Sequence, residues 1–392
     1  MNVFIAGLAA VYLAVAVPAL ASADSAPGTA AQLFAAGRFD SAATAYERVL
    51  AAHPGDPDAS LNLGAIRLYE NDLAAAEPLL RAASVAQPSN RRPGALLSEL
   101  ERRRAEAARS SQVANGETTV PFVYAEPLPV VRAEVNGTPV NLIVDTGGTL
   151  DLDPSVVARL GIPTQEAGSG IFAGGMRAPM RKAMLHELVL GGATAFDVPV
   201  SVLPARGSEL FAGAHIDGIV GTTVFERFLV TIDYPKARLV LRPRSAEVSA
   251  RFESEAKAAG ATIVPCWLVG DHFVFADARV DAAPDGLFLF DSGLAGGGLM
   301  ATRALIDAAG ITLDEAHAAT GIGGGGAVQV VPFVARRVAV GQAQQSDVQG
   351  SFTPEGSPLS IFPFTAWGAI SHDFLKHYAY TVDFDAMRIV LE

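Results

Sequence analysis

Cysteine is almost absent from this chain of 392 residues, which contains only Cys266. A single cysteine excludes a disulfide within the chain, so packing and hydrogen bonds must hold the fold together. Cys266 lies inside the apolar run Ile263–Val269. There the thiol is expected to pack as a small hydrophobic side chain rather than act as a nucleophile.

Positive charge is also scarce. The chain has 29 lysines and arginines against 41 aspartates and glutamates, which gives a formal net charge of −12. This balance argues against nucleic acid as a partner and predicts no strong attraction to anionic membranes. Half of the residues are hydrophobic and 18% are charged, which is typical of a globular protein rather than a disordered one.

Several catalytic motifs are missing. The seven histidines form no H-E-x-x-H motif and no cysteine pairing, so no metal is expected. No G-x-S-x-G motif occurs, which argues against a serine hydrolase. The segment Gly321–Gly326 satisfies G-x-G-x-x-G, but a strand-like sequence follows it where a dinucleotide site needs a helix. We therefore expect no cofactor.

A long hydrophobic run occurs only at the N-terminus, where Val3–Leu20 is almost entirely apolar. The small residues of Ala19-Leu20-Ala21 provide a cleavage pattern, so residues 1–23 are predicted to be a signal peptide. This prediction places the protein in the periplasm or outside the cell. The alternative is that the run stays attached as a membrane anchor.

Residues 24–112 are predicted to be helical and to contain a repeat. Ala35–Pro54 and Tyr69–Pro88 align at an offset of 34 residues, and a further helix is expected over Pro93–Arg109. The period and the small residues at contact positions resemble tetratricopeptide repeats. Two functions remain open for this region: a groove for a protein partner, or a packing module for the region that follows.

The last predicted helix has one apolar face. Leu96, Leu97 and Leu100 share this face, which makes them candidates for packing on the next region. The polar stretch Ser110–Gly116 is predicted to be a short linker.

From about Glu117 the pattern changes to the alternation of β-strands. Val130–Glu134 and Val140–Val144 are predicted to pair through a tight Asn136-Gly137 turn. Short strands separated by glycine turns predict an all-β, barrel-like unit. The few helices expected here are Pro154–Leu160, Glu253–Ala259 and Ala301–Ala309.

This β region contains an internal duplication. Thr223–Leu241 matches Asp373–Leu391 at an offset of 150 residues. Upstream, Asp145 matches Asp291 at an offset of 146. Because the offset grows in small steps, as it does when loops lengthen between equivalent strands, we expect two copies of one unit, at residues 117–245 and 261–392.

Each copy carries an aspartate at the end of an apolar run, in NLIVDTG at Asn141–Gly147 and in LFLFDSG at Leu287–Gly293. An Asp-x-Gly sequence is also ordinary turn chemistry. Two such strands brought face to face would place two carboxylates together in an apolar setting. One would then keep a proton and serve as an acid, while the other serves as a base that activates water.

The order of motifs from about Glu117 to Glu392 resembles a pepsin-like or retropepsin-like aspartic peptidase with both lobes in one chain. The first lobe has NLIVDTGG, then GSGIFAGG, DGIVG and FLVTIDYPKARLVL. The second has LFLFDSGL, then TGIGGGG, WGAIS and YAYTVDFDAMRIVL. The predicted fold class is therefore multidomain: tetratricopeptide-like α-helical hairpins followed by an all-β bilobal acid protease fold.

This resemblance implies roles for individual residues. Asp145 and Asp291 would be the catalytic pair, and the hydroxyls of Thr146 and Ser292 would lock the two loops across the lobe interface. Gly147 and Gly293 would permit the tight turns. The flap candidates are Ile171, Phe172, Gly174, Gly175, Ile322, Gly324 and Gly325.

The resemblance also implies a peptide or protein substrate, no metal, and an active site that one chain can complete. Three positions depart from the family pattern: Gly148 and Leu294 replace a small hydroxyl residue or alanine, and Ser371 stands where the first lobe has Gly221. Two functions follow. One is an aspartic endopeptidase, and the alternative is an inactive peptide-binding or scaffold protein that uses the cleft or the repeats.

Overall fold

The computed structural model of the protein describes residues 5–6, 9–10, 28–172, 177–204, 211, 215–323, 326–354 and 356–392. Within these residues an α-helical region is followed by an all-β region built from two lobes, as predicted. Among the helices of the described residues, none has the length and hydropathy needed to cross a membrane.

The helical region forms antiparallel hairpins. Side chains cap four of its helices; Thr29, for example, makes a capping box with Gln32 at the first. The helices are α1 (Ala30–Ala35), α2 (Phe39–Ala52), α3 (Pro57–Tyr69), α4 (Leu73–Ala86) and α5 (Arg91–Ala107). The starts of α2 and α4 differ by the predicted 34 residues, and α4 continues through Pro78.

The apolar face of the repeats packs on the second lobe. The ring of Phe39 lies 5.5 Å from Trp267 and 5.0 Å from Phe364, centroid to centroid. Tyr69 lies 5.6 Å from Phe39 on the helical side of the same cluster. This face is therefore covered by the chain's own β region.

The contact of α5 with the β region is polar, unlike the expected leucine contact. Leu100 packs with Leu80 and its neighbours inside the helical region, and of the three leucines only Leu96 also reaches the cluster shared with the second lobe. The buried Arg103 instead donates hydrogen bonds to the carbonyls of Leu68 (2.7 Å), Leu268 (2.7 Å) and Gly270 (2.9 Å). Helix α5 thus attaches to the second lobe through one buried guanidinium.

The first lobe is a set of mostly antiparallel strands. Its strand pairing runs from a three-stranded meander, built from Thr118–Tyr124, Val130–Val135 and Thr138–Asp145, into two long hairpins formed by Thr164–Phe172, Arg177–Leu190 and Ala193–Val202. In chain order, with the two short N-terminal strands first, the elements are β1 (Ile5–Ala6), β2 (Ala9–Ala10), β3 (Ser111–Val113), β4 (Thr118–Tyr124), β5 (Val130–Val135), β6 (Thr138–Asp145), β7 (Asp151–Leu152), α6 (Pro154–Arg159), β8 (Thr164–Phe172), β9 (Arg177–Leu190), β10 (Ala193–Val202), β11 (Gly218–Gly221), α7 (Thr222–Phe225), β12 (Phe228–Asp233) and β13 (Arg238–Pro243).

The second lobe repeats this order after a connecting helix. Its elements are α8 (Ala246–Ala258), β14 (Thr262–Val269), β15 (Phe273–Val280), β16 (Gly286–Asp291), β17 (Leu299–Ala301), α9 (Arg303–Ala309), β18 (Ala319–Gly323), β19 (Gly326–Val340), β20 (Ala343–Phe352), β21 (Gly368–Ser371), α10 (His372–Leu375), β22 (Ala379–Asp383) and β23 (Arg388–Leu391). Helix α8 begins seven residues before the predicted start, because Ser245 caps it by accepting a hydrogen bond from the backbone of Val248.

One antiparallel sheet joins the lobes, in the order β4–β13–β12–β22–β23–β14. Its centre is the pair β12–β22, where Thr231 lies opposite Thr381. Their hydroxyl oxygens are 2.6 Å apart, and the two residues are 150 positions apart in the chain. The duplicated segments therefore meet about a local two-fold axis.

Two predicted segments contain short strands in the structure. The expected linker contains β3, which pairs with Ala193–Ala195 of β10, so this stretch belongs to the sheet. Of the predicted signal peptide, only β1 and β2 are described; β1 pairs with Ile322 and Gly323, and β2 pairs with Ile171 and Phe172. The rest of residues 1–23 lies outside the described residues.

Candidate active site

Two interior strands deliver the aspartates to the interface between the lobes. Asp145 ends β6 opposite Gly221 of the parallel strand β11, and Asp291 ends β16 opposite Ser371 of β21. Asp145 is 1% exposed and Asp291 is fully buried. Because the two registers are equivalent, each carboxylate has the same position relative to the strands of its own lobe.

The loops that follow these strands are bonded to each other. The hydroxyl of Thr146 donates to the carbonyl of Phe290 (2.9 Å), and the hydroxyl of Ser292 donates to that of Val144 (3.0 Å). In return, the backbone N–H of Thr146 donates to the Ser292 hydroxyl at 2.9 Å, and that of Ser292 donates to the Thr146 hydroxyl at 3.0 Å. Four reciprocal hydrogen bonds thus fix the two loops in one arrangement.

The glycines bring the carboxylates into close opposition. Gly147 donates its N–H to Oδ1 of Asp145 at 2.8 Å, and Gly293 does the same for Asp291 at 2.9 Å. A Cβ on Gly147 would lie 2.4 Å from the carboxyl carbon of Asp291, and one on Gly293 would lie 2.1 Å from that of Asp145. Only glycine fits at either position, because each loop backbone packs directly on the opposite carboxylate.

The environment of the pair favours one shared proton. Burial raises the pKa of Asp145 well above its ordinary value, and the negative charge of Asp291 raises it further. Burial also raises the pKa of Asp291, although hydrogen bonds from the Asp145 side and from Gly293 oppose this rise. Two carboxyls this close cannot both ionise, so one stays protonated while the other is a base.

The three departures from the family pattern have structural accommodations. Gly148 packs against the dyad, since a Cβ there would lie 3.1 Å from Oδ2 of Asp145. Leu294 is buried in the cluster shared with the repeats. Ser371 fits because its hydroxyl donates to the carbonyl of Gly297 at 2.8 Å. Within the described residues, neither Asp145 nor Asp291 accepts a hydrogen bond from a Ser, Thr or Tyr hydroxyl, and Oδ2 of Asp291 has no partner.

The flap candidates fall on two long hairpins. Ile171 and Phe172 end β8, which pairs with β9, and Ile322 lies in β18, which pairs with β19. Four further candidates, at the predicted tips, lie outside the described residues: Gly174, Gly175, Gly324 and Gly325.

An inter-lobe contact on the second-lobe side involves Glu126 of the first lobe. Its carboxylate lies 3.2 Å from Nε2 of His372 and 3.3 Å from Nζ of Lys376. Ligand atoms of Glu126, His372 and Asp373 lie within 4.8 Å of one another. Because Lys376 forms ion pairs with both carboxylates, this cluster already contains its own cation and does not require a metal.

An electrostatic interaction between the lobes, on the first-lobe side, was not predicted. The buried Asp151 accepts a hydrogen bond from the Thr149 hydroxyl at 2.6 Å. Burial raises the pKa of Asp151 to about 6, and the nearby His272 of the second lobe opposes this rise. Asp151 and His272 are 121 positions apart in the sequence, so no local pattern connects them.

Comparison with known families agrees with this geometry. Residues 131–224 match the family described as aspartyl protease, and residues 33–100 match tetratricopeptide repeat. The chain therefore contains an aspartyl protease domain preceded by tetratricopeptide repeats. The protease match includes Asp145 and ends in α7, before the second lobe.

Solved structures with similarity to this chain include three proteins. A retropepsin-like aspartic protease from Rickettsia conorii is 22% identical over 34% of this chain and 95% of its own, with a TM-score of 0.26. Basic 7S globulin from soybean is 9% identical over 72% and 95%, with a TM-score of 0.39. The protein named edgp is 11% identical over 71% and 95%, with a TM-score of 0.40. No curated protein matches the chain at a significant level.

Proposed function

We propose that this protein is an aspartic endopeptidase whose two lobes supply one carboxylate each. The observation that carries this proposal is the opposed, buried pair Asp145 and Asp291 on loops that are hydrogen-bonded to each other. The ionised carboxylate takes a proton from a water molecule, and the oxygen of that water attacks the peptide carbonyl. The protonated carboxyl gives its proton to the carbonyl oxygen. Transfer of a proton to the amide nitrogen then breaks the C–N bond and releases an acid and an amine.

The substrate in this proposal is an extended peptide. The hairpins β8–β9 and β18–β19 offer strand edges, and both edges pair with N-terminal strands of the chain itself. Backbone pairing of this kind binds a peptide largely without regard to sequence, so specificity comes from pockets for side chains.

The second candidate is a peptide-binding protein without catalysis. It is favoured by the lack of a hydroxyl donor to either carboxylate within the described residues, where Gly148 and Leu294 follow the two catalytic loops. Such a protein would hold an extended strand in the same cleft. We assign the repeats a packing role, because their apolar face is buried on the second lobe; a protein partner would have to bind their outward faces.

We also propose that the protein is exported from the cytoplasm. Residues 1–23 would be removed on passage to the periplasm or the exterior. Mass spectrometry of the protein isolated from cell fractions checks this, since a mature chain that begins near residue 24 is expected outside the cytoplasm.

The function is tested by cleavage of a mixed peptide library. The wild-type protein is expected to cleave peptide bonds in the presence of a chelator, because no metal takes part. Asp145→Asn should lower the rate by about 10³- to 10⁴-fold, because the general base or its proton is lost. Asp347→Asn is the matched control, since Asp347 is exposed and asparagine tolerates its positive φ of 54°. Cleavage by Asp145→Asn at the wild-type rate would reject the dyad, and binding without cleavage by the wild type would favour the second candidate.

A further inference from the structure

A cavity of about 340 Å³ with both polar and apolar walls lies where the repeats and both lobes meet. Ser98 on α5 contributes from the repeats, Thr149 and Lys182 from the first lobe, and His272 from the turn between β14 and β15 of the second lobe. Three separate parts of the fold therefore build one small space that the dyad does not use.

This cavity begins at the catalytic loop. Thr149 follows Gly148, whose backbone packs on the carboxylate of Asp145. Lys182 lies on β9, in the hairpin proposed to hold the peptide backbone. A peptide that passes between this loop and this hairpin on the first-lobe side would reach the cavity, and α5 would form its far wall.

One buried polar group in the lining has no partner. His272 is 2% exposed, and its Nδ1 lies 2.5 Å from the carboxylate of Asp271. Its Nε2 makes no hydrogen bond to any residue that the structure describes. Buried polar atoms in native structures are nearly always hydrogen-bonded, so an unpartnered nitrogen in the wall of this cavity points to a ligand.

Among the charged residues of the cavity lining, Lys182 is the one without an ion-pair partner in the described part of the chain. Glu99 accepts three hydrogen bonds from the guanidinium groups of Arg102 and Arg103, and Asp271 is paired with His272. Lys182 is exposed and has no ion-pair partner among the residues that the structure describes. Lys182 therefore brings a positive charge that is unpaired within the described residues to the lining, which favours a carboxylate over an amine.

The inter-lobe contact around Glu126 also has a buried histidine nitrogen without a partner among the described residues, Nδ1 of His372, but it differs in charge. There, Lys376 is already paired with Glu126 and Asp373. Helix α5 lies at the His272 side, where Arg103 holds the carbonyls of Leu268 and Gly270 just before the turn. The two duplicated lobes therefore differ in these inter-lobe contacts, because α5 packs beside the contact that contains His272.

We propose that this cavity is a substrate subsite, walled by α5 and formed around Lys182 and His272, that accepts an acidic group several residues from the bond to be cleaved. The proposal rests on the proposed peptidase function and names the substrate class of that site. The acidic group is the side chain of aspartate or glutamate, or the C-terminal carboxylate of a short peptide.

The specificity test compares cleavage of decapeptide libraries in which glutamate, serine or lysine is placed at each position in turn. The wild-type protein is expected to prefer glutamate at one position away from the scissile bond by about three- to fivefold in kcat/KM, as for one partly exposed ion pair. Lys182→Glu should reverse the preference toward lysine at that position. Lys257→Glu, an exposed lysine on α8, is the matched control and should keep the wild-type preference. Amidated and free-acid peptides distinguish the side-chain carboxylate from the C-terminal one.

A second readout does not need catalysis. Fluorescence anisotropy measures binding of labelled glutamate and serine decapeptides to the Asp145→Asn protein, with and without Lys182→Glu. The glutamate peptide should bind about three- to fivefold more tightly, and Lys182→Glu should remove this difference. Ala95→Phe, which projects from α5 into the cavity, should weaken binding of the decapeptide, whereas Ala82→Phe on the exposed face of α4 should not.

The outcomes separate this proposal from the peptidase function. Cleavage without any acidic preference, or with a preference that Lys182→Glu leaves unchanged, overturns the subsite and leaves the peptidase function standing. Absence of cleavage together with Lys182-dependent binding of the glutamate peptide overturns the peptidase function and keeps the subsite as a binding site. Equal binding of both peptides to all variants overturns the subsite.

Discussion

Asp145 and Asp291 owe their protonation behaviour to their immediate neighbours. Each accepts one backbone hydrogen bond, from Gly147 or Gly293, and each side chain is buried. Desolvation and mutual repulsion both oppose ionisation of the second carboxyl. The residues that matter most here are the glycines, since a side chain at either would displace the opposite carboxylate.

The pH dependence of activity follows from these shifts. Because the pKa of Asp145 is well above that of an exposed aspartate, the shared proton should persist toward neutral pH. We expect kcat/KM to rise as the pair loses its first proton, and to fall when it loses the second, at a pH well above the ordinary aspartate value of about 3.9. Initial rates from about pH 2 to 9 check this. A rate that keeps rising through alkaline pH would be inconsistent with a dyad that must hold a proton.

The raised pKa of Asp145 also lowers the free energy of unfolding at neutral pH. Its folded pKa exceeds its unfolded pKa, so ionisation favours the unfolded state, and stability falls as pH rises from the unfolded value through the folded one. Asp145→Asn removes this cost and should stabilise the protein at neutral pH by at least about 1 kcal/mol, with little gain near pH 3. Thermal unfolding of both proteins at the two pH values measures it. A lower melting temperature for the variant at neutral pH would mean that the carboxylate is not destabilised by burial.

At the level of residues, sequence reasoning located the two Asp-Thr/Ser-Gly loops, because the strand, the turn glycine and the hydroxyl all lie within four positions. It did not find the contacts of Arg103 or His272. Arg103 donates hydrogen bonds to carbonyls more than 160 positions away, and no local sequence pattern predicts that this arginine is buried. Leu100 shows the same limit: its hydrophobic character was clear, but its partner in α4 was not.

Among the elements, α5 is the connection between the repeats and the protease lobes. Arg103 is 3% exposed and supplies donors to carbonyls of α3 and of the second lobe. Removing it leaves these acceptors and Glu99 without their buried donor.

We expect Arg103→Met to destabilise the protein by about 3–5 kcal/mol, because it breaks a buried charge network from one side. Arg104→Met is the control: Arg104 is exposed, it pairs with Glu77, and its loss should cost less than about 1 kcal/mol. Denaturant unfolding compares the two variants. If both unfold at the same midpoint, α5 is not anchored by Arg103.

Element boundaries were predictable where a cap or turn residue is local. The Asn136-Gly137 turn has φ values of 49° and 78° and joins β5 to β6 as expected. The short strand β3 was not predictable, because Ser111–Val113 becomes a strand only by pairing with β10, about 80 positions later. Helix α8 begins upstream of its predicted start because Ser245 caps it at an earlier position.

On the scale of the whole molecule, the duplication explains how one chain completes a two-part site. The central sheet joins equivalent strands of both lobes, with Thr231 and Thr381 at its axis. The offset of 150 residues made this arrangement predictable from the sequence. The placement of the repeats was not, because their apolar face gives no indication of which surface covers it.

The central claim is that both aspartates of one chain form the site, although the matched protease family covers only the first lobe. The most direct measurement is peptide cleavage by Asp145→Asn, by Asp291→Asn and by an equimolar mixture of the two proteins. Our account predicts that each variant is inactive, that the mixture is equally inactive after prolonged co-incubation, and that wild-type specific activity is unchanged on dilution. Activity in Asp291→Asn would show that the second lobe supplies no catalytic carboxylate. Recovery of about a quarter of the wild-type rate in the mixture would show that the lobes pair between chains.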